Sequence, residues 1–197
     1  MSLFSRLRNV VDTALGEGVS NEADPEDLFD ISTAHLTLEA EGYGSNSQAA
    51  LCFNTVDSAE FDSLVEEIRD LLEVSEDETG TTHETVEDSY GYTWITVEDD
   101  DFEDLVTAVH MATDTIVERG YSEHLLCGVF GFTGRDGEDI YWIYSFNTGS
   151  WYPFAPEDER SKERDSAAEF SVTTVVEDEM DIEDDETEWY PVWGVPF

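Results

Sequence analysis

The chain has 197 residues, and its 49 acidic residues against 8 lysines and arginines give a formal net charge of −41. This charge strongly opposes contact with a nucleic-acid backbone, which excludes direct DNA binding. With 40% hydrophobic and 12% aromatic residues, the composition is that of a chain with a packed core, which argues against an acidic disordered protein.

The first predicted element is an amphipathic helix within residues 1–18. Leu3, Leu7, Val10 and Ala14 recur at helical spacing, which gives this segment one apolar face. We expect the helix either to contact an anionic membrane interface or a partner coiled coil, or to pack on its own domain. Residues 19–27, which follow it, are predicted to be a linker.

The folded body is predicted to be one α+β domain over residues 28–176. Segments 55–68 and 96–109 align with each other, and each carries a β-branched run, an acidic turn and an amphipathic helix. The alignment predicts a repeated hairpin-helix unit, in which two amphipathic helices pack on an antiparallel sheet. A chance match between acidic helix starts is the alternative.

Strands are predicted where β-branched and aromatic residues lie between glycine, aspartate and proline. The expected strands are at residues 34–40, 49–56, 82–87, 91–97, 125–133, 140–147, 150–154 and 168–176. Asp136-Gly137 is a tight-turn signal between two of them, so the strands around it are predicted to form an antiparallel β-meander. Residues 177–188 are predicted to be an acidic tether, and residues 189–197 an aromatic C-terminal segment.

The sequence shows no convincing enzyme active site. The histidines are scattered and form no metal-binding motif, so we expect neither a metal nor a cofactor. Cys52 and Cys127 each lie in an apolar, strand-like run, where buried reduced thiols are expected. A hydrolase that uses Cys127 as its nucleophile is the alternative, and it predicts that this thiol reacts with labelling reagents in the native protein.

The excess of carboxylates is typical of a protein adapted to high salt. At about 1 M salt the Debye length falls to about 3 Å, so the acidic side chains scarcely repel one another and keep the surface hydrated. We therefore expect a soluble, cytoplasmic protein of a halophilic organism, which loses its structure in dilute buffer. A peripheral position at the inner face of the membrane is the alternative location, if the N-terminal helix binds lipid.

Aromatic residues are more numerous than one small sheet usually needs. Aromatic side chains bury a large area at low entropic cost and are favoured at protein interfaces, although core packing is the alternative for each of them. The residues predicted to bind a partner are Phe4, Arg6, Leu7, Arg8, Tyr90, Tyr92, Trp94, Trp151, Tyr152, Trp189 and Trp193.

Four aromatic-rich segments of the chain are distinctive, namely VEDSYGYTW (86–94), LLCGVFGF (125–132), WYPFAP (151–156) and WYPVWGVP (189–196). In these segments the chain resembles one known family, the PspA-associated proteins PspAB, in a haloarchaeal form, and the resemblance extends over most of the chain. It implies an accessory role in an envelope-stress response built on PspA, a coiled-coil scaffold at the membrane surface, in association with an HtpX-type membrane protease. The resemblance brings no catalytic residue with it.

The function expected from the sequence is that of a non-enzymatic adaptor, which binds a PspA-like coiled-coil protein or an HtpX-type membrane protease. The alternative, from a different class, is a sensor domain that binds a small molecule or a peptide in an aromatic-lined pocket. The residues expected to line that pocket are Tyr92, Trp94, Trp142 and Trp151. A deep apolar pocket with convergent polar groups would favour the sensor.

Overall fold

The structure of the chain is a computed structural model, which describes residues 23–88, 90–158 and 160–197. The predicted N-terminal helix lies outside the described residues. Four of the residues predicted to bind a partner therefore also lie outside them, namely Phe4, Arg6, Leu7 and Arg8.

Eight strands and four α-helices make up the described part of the chain. The strands are β1 (Gly44–Asn54), β2 (Thr82–Glu87), β3 (Tyr92–Glu98), β4 (Leu125–Thr133), β5 (Asp139–Ser145), β6 (Ser150–Phe154), β7 (Pro156–Asp158) and β8 (Glu163–Arg164). The helices are α1 (Asp30–Ala40), α2 (Ala59–Thr79), α3 (Phe102–Glu118) and α4 (Ser166–Val176), and short 3-10 turns lie at Pro25–Phe29, Ser122–His124 and Glu186–Glu188.

The main sheet has six strands in the order β2-β3-β1-β4-β5-β6, and all its neighbouring strands are antiparallel. Strands β7 and β8 form a separate two-stranded sheet. This architecture confirms the predicted α+β class and the antiparallel sheet. The predicted internal repeat stays a prediction.

Helices α2 and α3 begin at the two acidic turns, as predicted. The side chain of Ser58 accepts a hydrogen bond from the backbone N–H of Phe61, and that of Asp101 accepts one from Glu103. These caps satisfy N–H groups that have no partner in the first helical turn. Helix α2 ends at Gly80, whose φ of 94° is favourable for a residue without a side chain.

The sheet has two covered faces. The first face packs against the helices and is lined by Leu51, Phe53, Ile95, Phe130, Trp142, Tyr144 and Trp151. The second face is lined by Ala50, Cys52, Tyr92, Trp94, Cys127, Val129, Tyr152 and Phe154. Residues 189–197, here called the C-terminal segment, cover the second face with the buried side chains of Trp189, Val192 and Trp193.

The strand predicted at residues 34–40 is wrong, because these residues belong to helix α1. Asp24 caps a 3-10 turn at Pro25–Phe29, which continues directly into the helix. Ile31, Ala34 and Leu38 are buried at helical spacing, whereas Leu36 is 70% exposed. The local residue preferences that predicted a strand here are therefore outweighed by the burial of one helical face.

The strand predicted at residues 168–176 is also wrong, because helix α4 occupies this range. Asp165 caps the helix by accepting hydrogen bonds from the N–H groups of Ala167 and Ala168. Glu169, Val172 and Val176 are buried at helical spacing. The N-cap and this spacing outweigh the weak helix propensity of the β-branched run in the second half of the helix.

The predicted turn at Asp136-Gly137 is confirmed. The N–H of Gly134 donates to the carbonyl of Glu138 at 2.8 Å, and Gly137 has a φ of 86°, which glycine adopts at low cost. Strands β4, β5 and β6 follow one another as neighbours in the sheet. The meander is therefore as predicted.

Strand β6 forms one edge of the main sheet, and residues 181–183 lie along it. The N–H of Trp151 donates to the carbonyl of Asp181 at 2.8 Å, and the N–H of Glu183 donates to the carbonyl of Trp151 at 2.9 Å. Ile182 forms a parallel bridge with Trp151, and Met180 is buried. The range predicted as an acidic tether is thus attached to β6, which we call the closed edge.

Candidate interaction surface

Most of the aromatic residues predicted to bind a partner are buried. The buried ones are Tyr92, Trp94, Trp151, Tyr152, Trp189 and Trp193, none of which is more than 7% exposed. They pack inside the protein because each face of the sheet is covered by other parts of the chain. Of the predicted residues that the structure describes, Tyr90 is the exposed one, at 58%.

Asp88 holds the turn that carries Tyr90. One carboxylate oxygen of Asp88 accepts hydrogen bonds from the N–H groups of Tyr90 at 2.8 Å and Tyr92 at 3.1 Å. Its other oxygen accepts from the indole N–H of Trp94 at 3.2 Å. Gly91 completes the turn with a φ of 88°. The turn is therefore tied to the buried second face, and we call Asp88, Tyr90 and Gly91 the hairpin tip.

Strand β2 continues the exposed surface from the hairpin tip to the edge of the sheet. Five of its six residues are exposed, and His83 is the half-buried one. Val86 is 37% exposed and lies opposite Trp94 in the ladder with β3. The tip and β2 together present an aromatic ring, an apolar side chain and a strand backbone, a combination that can form a protein contact.

Sequence reasoning missed Asp88 and Val86. Asp88 lies two residues before Tyr90 and three before Gly91, which is the pattern of an Asx turn and could have predicted its role. Its signal was hidden because aspartate and glutamate are so common in this chain. Val86 gave no signal, because its exposure depends on which strand forms the edge of the sheet.

The four aromatic residues expected to line a sensor pocket do not come together. Tyr92 and Trp94 lie on the second face, whereas Trp142 and Trp151 lie on the first. A cavity of about 600 Å³ is lined by Tyr43, Arg135, Asp136, Gly137, Glu138, Asp165, Ala167, Ala168 and Ser171. None of the four aromatic residues lines this cavity.

Cys52 and Cys127 face each other across strands β1 and β4 on the second face. Both are free thiols and both are buried. Burial, together with a hydrogen bond to Cys127, raises the pKa of Cys52 well above its usual range. This environment disfavours the thiolate, which is the reactive form of cysteine.

The four histidines lie at separate places, each near a carboxylate. The pairs are His35 with Glu39, His83 with Glu76, His110 with Glu26 and His124 with Glu123. No group of three or more potential ligands that could hold a metal ion occurs among residues 23–88, 90–158 and 160–197. Over the same residues, no helix is long and apolar enough to cross a membrane.

A partly buried ion pair holds the C-terminal segment in place. Arg164 donates from Nε to Glu169 at 2.8 Å and from Nη1 to the carbonyl of Trp189 at 2.8 Å. Burial raises the pKa of the Glu169 carboxyl, and the hydrogen bond from Arg164 opposes this rise. The ammonium of Lys162 lies 4.8 Å from the centroid of the Trp193 ring, a cation–π distance. Basic side chains, which are scarce in this chain, thus stabilise the cover of the second face.

The fold and this surface define an acidic α+β protein that presents the aromatic side chain of Tyr90 at the hairpin tip. The family model PspAB, PspA associated protein B, matches residues 7–197, nearly the whole chain. The chain therefore belongs to this family, as its resemblance predicted, and the family description indicates an accessory protein associated with PspA. No curated protein and no solved structure matches the chain.

Proposed function

We propose that the chain is a non-enzymatic adaptor of a PspA-type envelope-stress response. In this proposal it binds the PspA-type coiled-coil scaffold through the hairpin tip and the adjoining strand β2. The observation that carries the proposal is the exposure of Tyr90, at 58%, on a turn that the Asp88 carboxylate holds with two backbone hydrogen bonds.

The hydrogen bonds that Asp88 accepts at the tip support a binding role for physical reasons. An aromatic side chain on a preorganised turn loses little conformational entropy when a partner covers it. Tyrosine is also among the residues that most often dominate the binding energy of an interface. The side chain of Val86 lies nearby on β2 and adds apolar area that a partner could cover.

The test is a binding titration of the full chain against the purified PspA-type protein of the same organism. About 1 M potassium chloride keeps the acidic chain screened. Tyr90→Ala is expected to weaken binding about tenfold or more, as for an interface hot spot. Leu36→Ala is the matched control, because Leu36 is 70% exposed but belongs to helix α1. The affinity of the Leu36→Ala variant for the scaffold is expected to equal that of the parent chain.

Two results would count against the proposal. Equal affinities for the parent chain and Tyr90→Ala would remove the hairpin tip from the interface. Capture of an HtpX-type membrane protease in place of the scaffold would contradict the choice of partner. The non-enzymatic part has its own test, since rapid labelling of Cys127 in the folded protein would contradict the burial of this thiol.

A further inference from the structure

Strand β2 has one side of its backbone turned away from the sheet. The N–H of Asp88 donates to the carbonyl of Tyr92 at 2.9 Å, so these two residues form a hydrogen-bonded pair. Such pairs alternate with non-hydrogen-bonded pairs along an antiparallel ladder. The backbone groups of Glu84 and Val86 therefore point towards β3. The backbone groups of His83, Thr85 and Glu87 point outward, away from the sheet.

The neighbouring ladder agrees with this assignment. The N–H of Thr55 donates to the carbonyl of Gly91 at 3.1 Å, which by the same alternation turns the backbone groups of Thr93 and Ile95 towards β1. The residues between them, such as Trp94, therefore point towards β2. In the part of the chain that the structure describes, β2 is the last strand of the sheet, and no backbone hydrogen bond joins its outward groups to another segment.

The charges beside this edge indicate which kind of strand could pair with it. Glu84 and Glu87 are exposed on β2, and Glu98 is exposed at the end of β3. Pairing with the same edge of a second copy would bring like charges together, which destabilises a ladder. A segment that carries lysine or arginine would instead bring opposite charges into contact.

A cavity next to the edge has the chemistry to accept a long basic side chain. Its volume is about 260 Å³, and its lining residues are Gln48, Thr82, His83, Glu84, Thr96, Val97, Glu98, Pro196 and Phe197. The aliphatic stem of a lysine or arginine can lie against Phe197, while its charged end meets the carboxylates of Glu84 and Glu98. In strand addition, the backbone gives affinity and such side-chain pockets give specificity.

We propose that β2 is a docking edge, to which an extended segment of the partner that contains lysine or arginine adds as a further strand. One basic side chain of that segment occupies the cavity lined by Glu84 and Glu98. This inference deepens the proposed function and rests on it, because it states what the partner offers to the surface beside the hairpin tip. Its test uses a synthetic peptide and no scaffold, so the two proposals can fail separately.

The probe is a fluorescein-labelled peptide of alternating lysine and valine, matched in length to β2. Saturable binding to the full chain in about 1 M potassium chloride, followed by fluorescence anisotropy, is the expected result. A peptide in which glutamate replaces every lysine is expected to bind at least about tenfold more weakly, because in the cavity its carboxylate would directly contact those of Glu84 and Glu98. Salt at about 1 M screens charges in such direct contact less than it screens charges that solvent separates. Equal binding of the two peptides, or no binding of either, would overturn the proposal.

Thr85→Pro tests the role of the backbone. Proline removes one outward N–H and keeps the ladder with β3, so an edge strand tolerates it. The lysine-valine peptide is expected to lose about tenfold or more in affinity for this variant, whereas Thr85→Val, which keeps the N–H, is expected to bind as the parent chain does. Unchanged binding by a folded Thr85→Pro variant would contradict strand addition.

Amide hydrogen exchange on the unsubstituted chain gives a test that needs no variant. Saturating peptide is expected to slow exchange of the outward N–H of Thr85 at least about tenfold, because this group then gains a hydrogen bond. The N–H of Val86, which points towards β3, is expected to change little. Equal slowing of both amides, or of neither, would contradict the predicted pairing.

Discussion

The two edges of the main sheet use their backbone in different ways. At the closed edge, β6 exchanges two backbone hydrogen bonds with residues 181–183, and Trp151 between them is fully buried. At the other edge, β2 is exposed along most of its length and carries the carboxylates of Glu84 and Glu87. Within the described residues, one edge is covered by the chain itself, and the other carries charged side chains and no covering strand.

This difference has a physical meaning for function. An unpaired strand edge is a site where proteins aggregate, and natural sheets protect such edges with cover or with charged side chains. A segment that covers an edge strand makes the backbone groups of that strand inaccessible to a partner. Carboxylates repel a second copy of the chain but leave the backbone available to a basic segment. The closed edge therefore serves stability, and the edge at β2 is suited to binding.

The largest difference that we expect between the two edges is in the free energy of unfolding that is lost when an aromatic side chain is removed. Trp151→Ala should destabilise the protein by about 3–5 kcal/mol, because it leaves a cavity under the closed edge. Tyr90→Ala should change the free energy of unfolding by less than about 0.5 kcal/mol, since its side chain lies at the surface. Denaturant unfolding in about 1 M potassium chloride measures both. Similar losses of unfolding free energy for the two variants would contradict this difference between the edges.

Proline substitutions sharpen the comparison at the level of single backbone groups. Glu183→Pro removes the N–H that donates to Trp151 and should cost about 1–3 kcal/mol, since a buried acceptor loses its partner. Glu183→Ala separates this effect from the loss of the side chain. Thr85→Pro on β2 should cost less than about 1 kcal/mol, because its N–H points outward. A greater cost at Thr85 than at Glu183 would show that the edges are assigned wrongly.

The smallest expected effect is in the pH dependence near the closed edge. Desolvation, together with a hydrogen bond to Glu188, raises the pKa of Tyr190 to about 12. Because the folded pKa is higher than the unfolded value near 10, Tyr190 contributes stability below pH 10 that is lost as the pH rises from 10 to about 12.

Tyr190→Phe tests this contribution. The variant should lose less stability than the parent chain over the same pH range, as measured by denaturant unfolding at fixed salt. Other tyrosines titrate in both proteins, so the difference between the two profiles is the quantity that matters. Identical profiles would mean that the pKa of Tyr190 is not raised by folding.

The sequence predicted those elements in which local pattern and burial agree. Helices α2 and α3 have a capping residue, Ser58 or Asp101, followed by an apolar stripe, and both were correctly predicted. The patterns behind the two wrong strand predictions are compatible with either a strand or a helix. Ala34, Leu36 and Leu38 alternate like a strand, and only the exposure of Leu36 in the fold shows that the helical spacing of Ile31, Ala34 and Leu38 is the relevant one.

The candidate surface was only partly predictable for a different reason. Tyr90 was predicted as a binding residue, but so were six described aromatic residues that the fold buries. Composition cannot show that the C-terminal segment folds back over the second face, which turns Trp94, Tyr152 and Trp193 into core residues. That outcome depends on long-range contacts, such as the hydrogen bonds that Arg164 donates to the carbonyl of Trp189 and Tyr152 donates to that of Tyr190.

The most direct test of the account is amide hydrogen exchange of the full chain with and without the PspA-type scaffold of the same organism. We predict that the scaffold slows exchange at His83, Thr85 and Glu87 and leaves the amide of Trp151 at the closed edge unchanged. Slower exchange along β6 with no change in β2 would contradict the assignment of the docking edge.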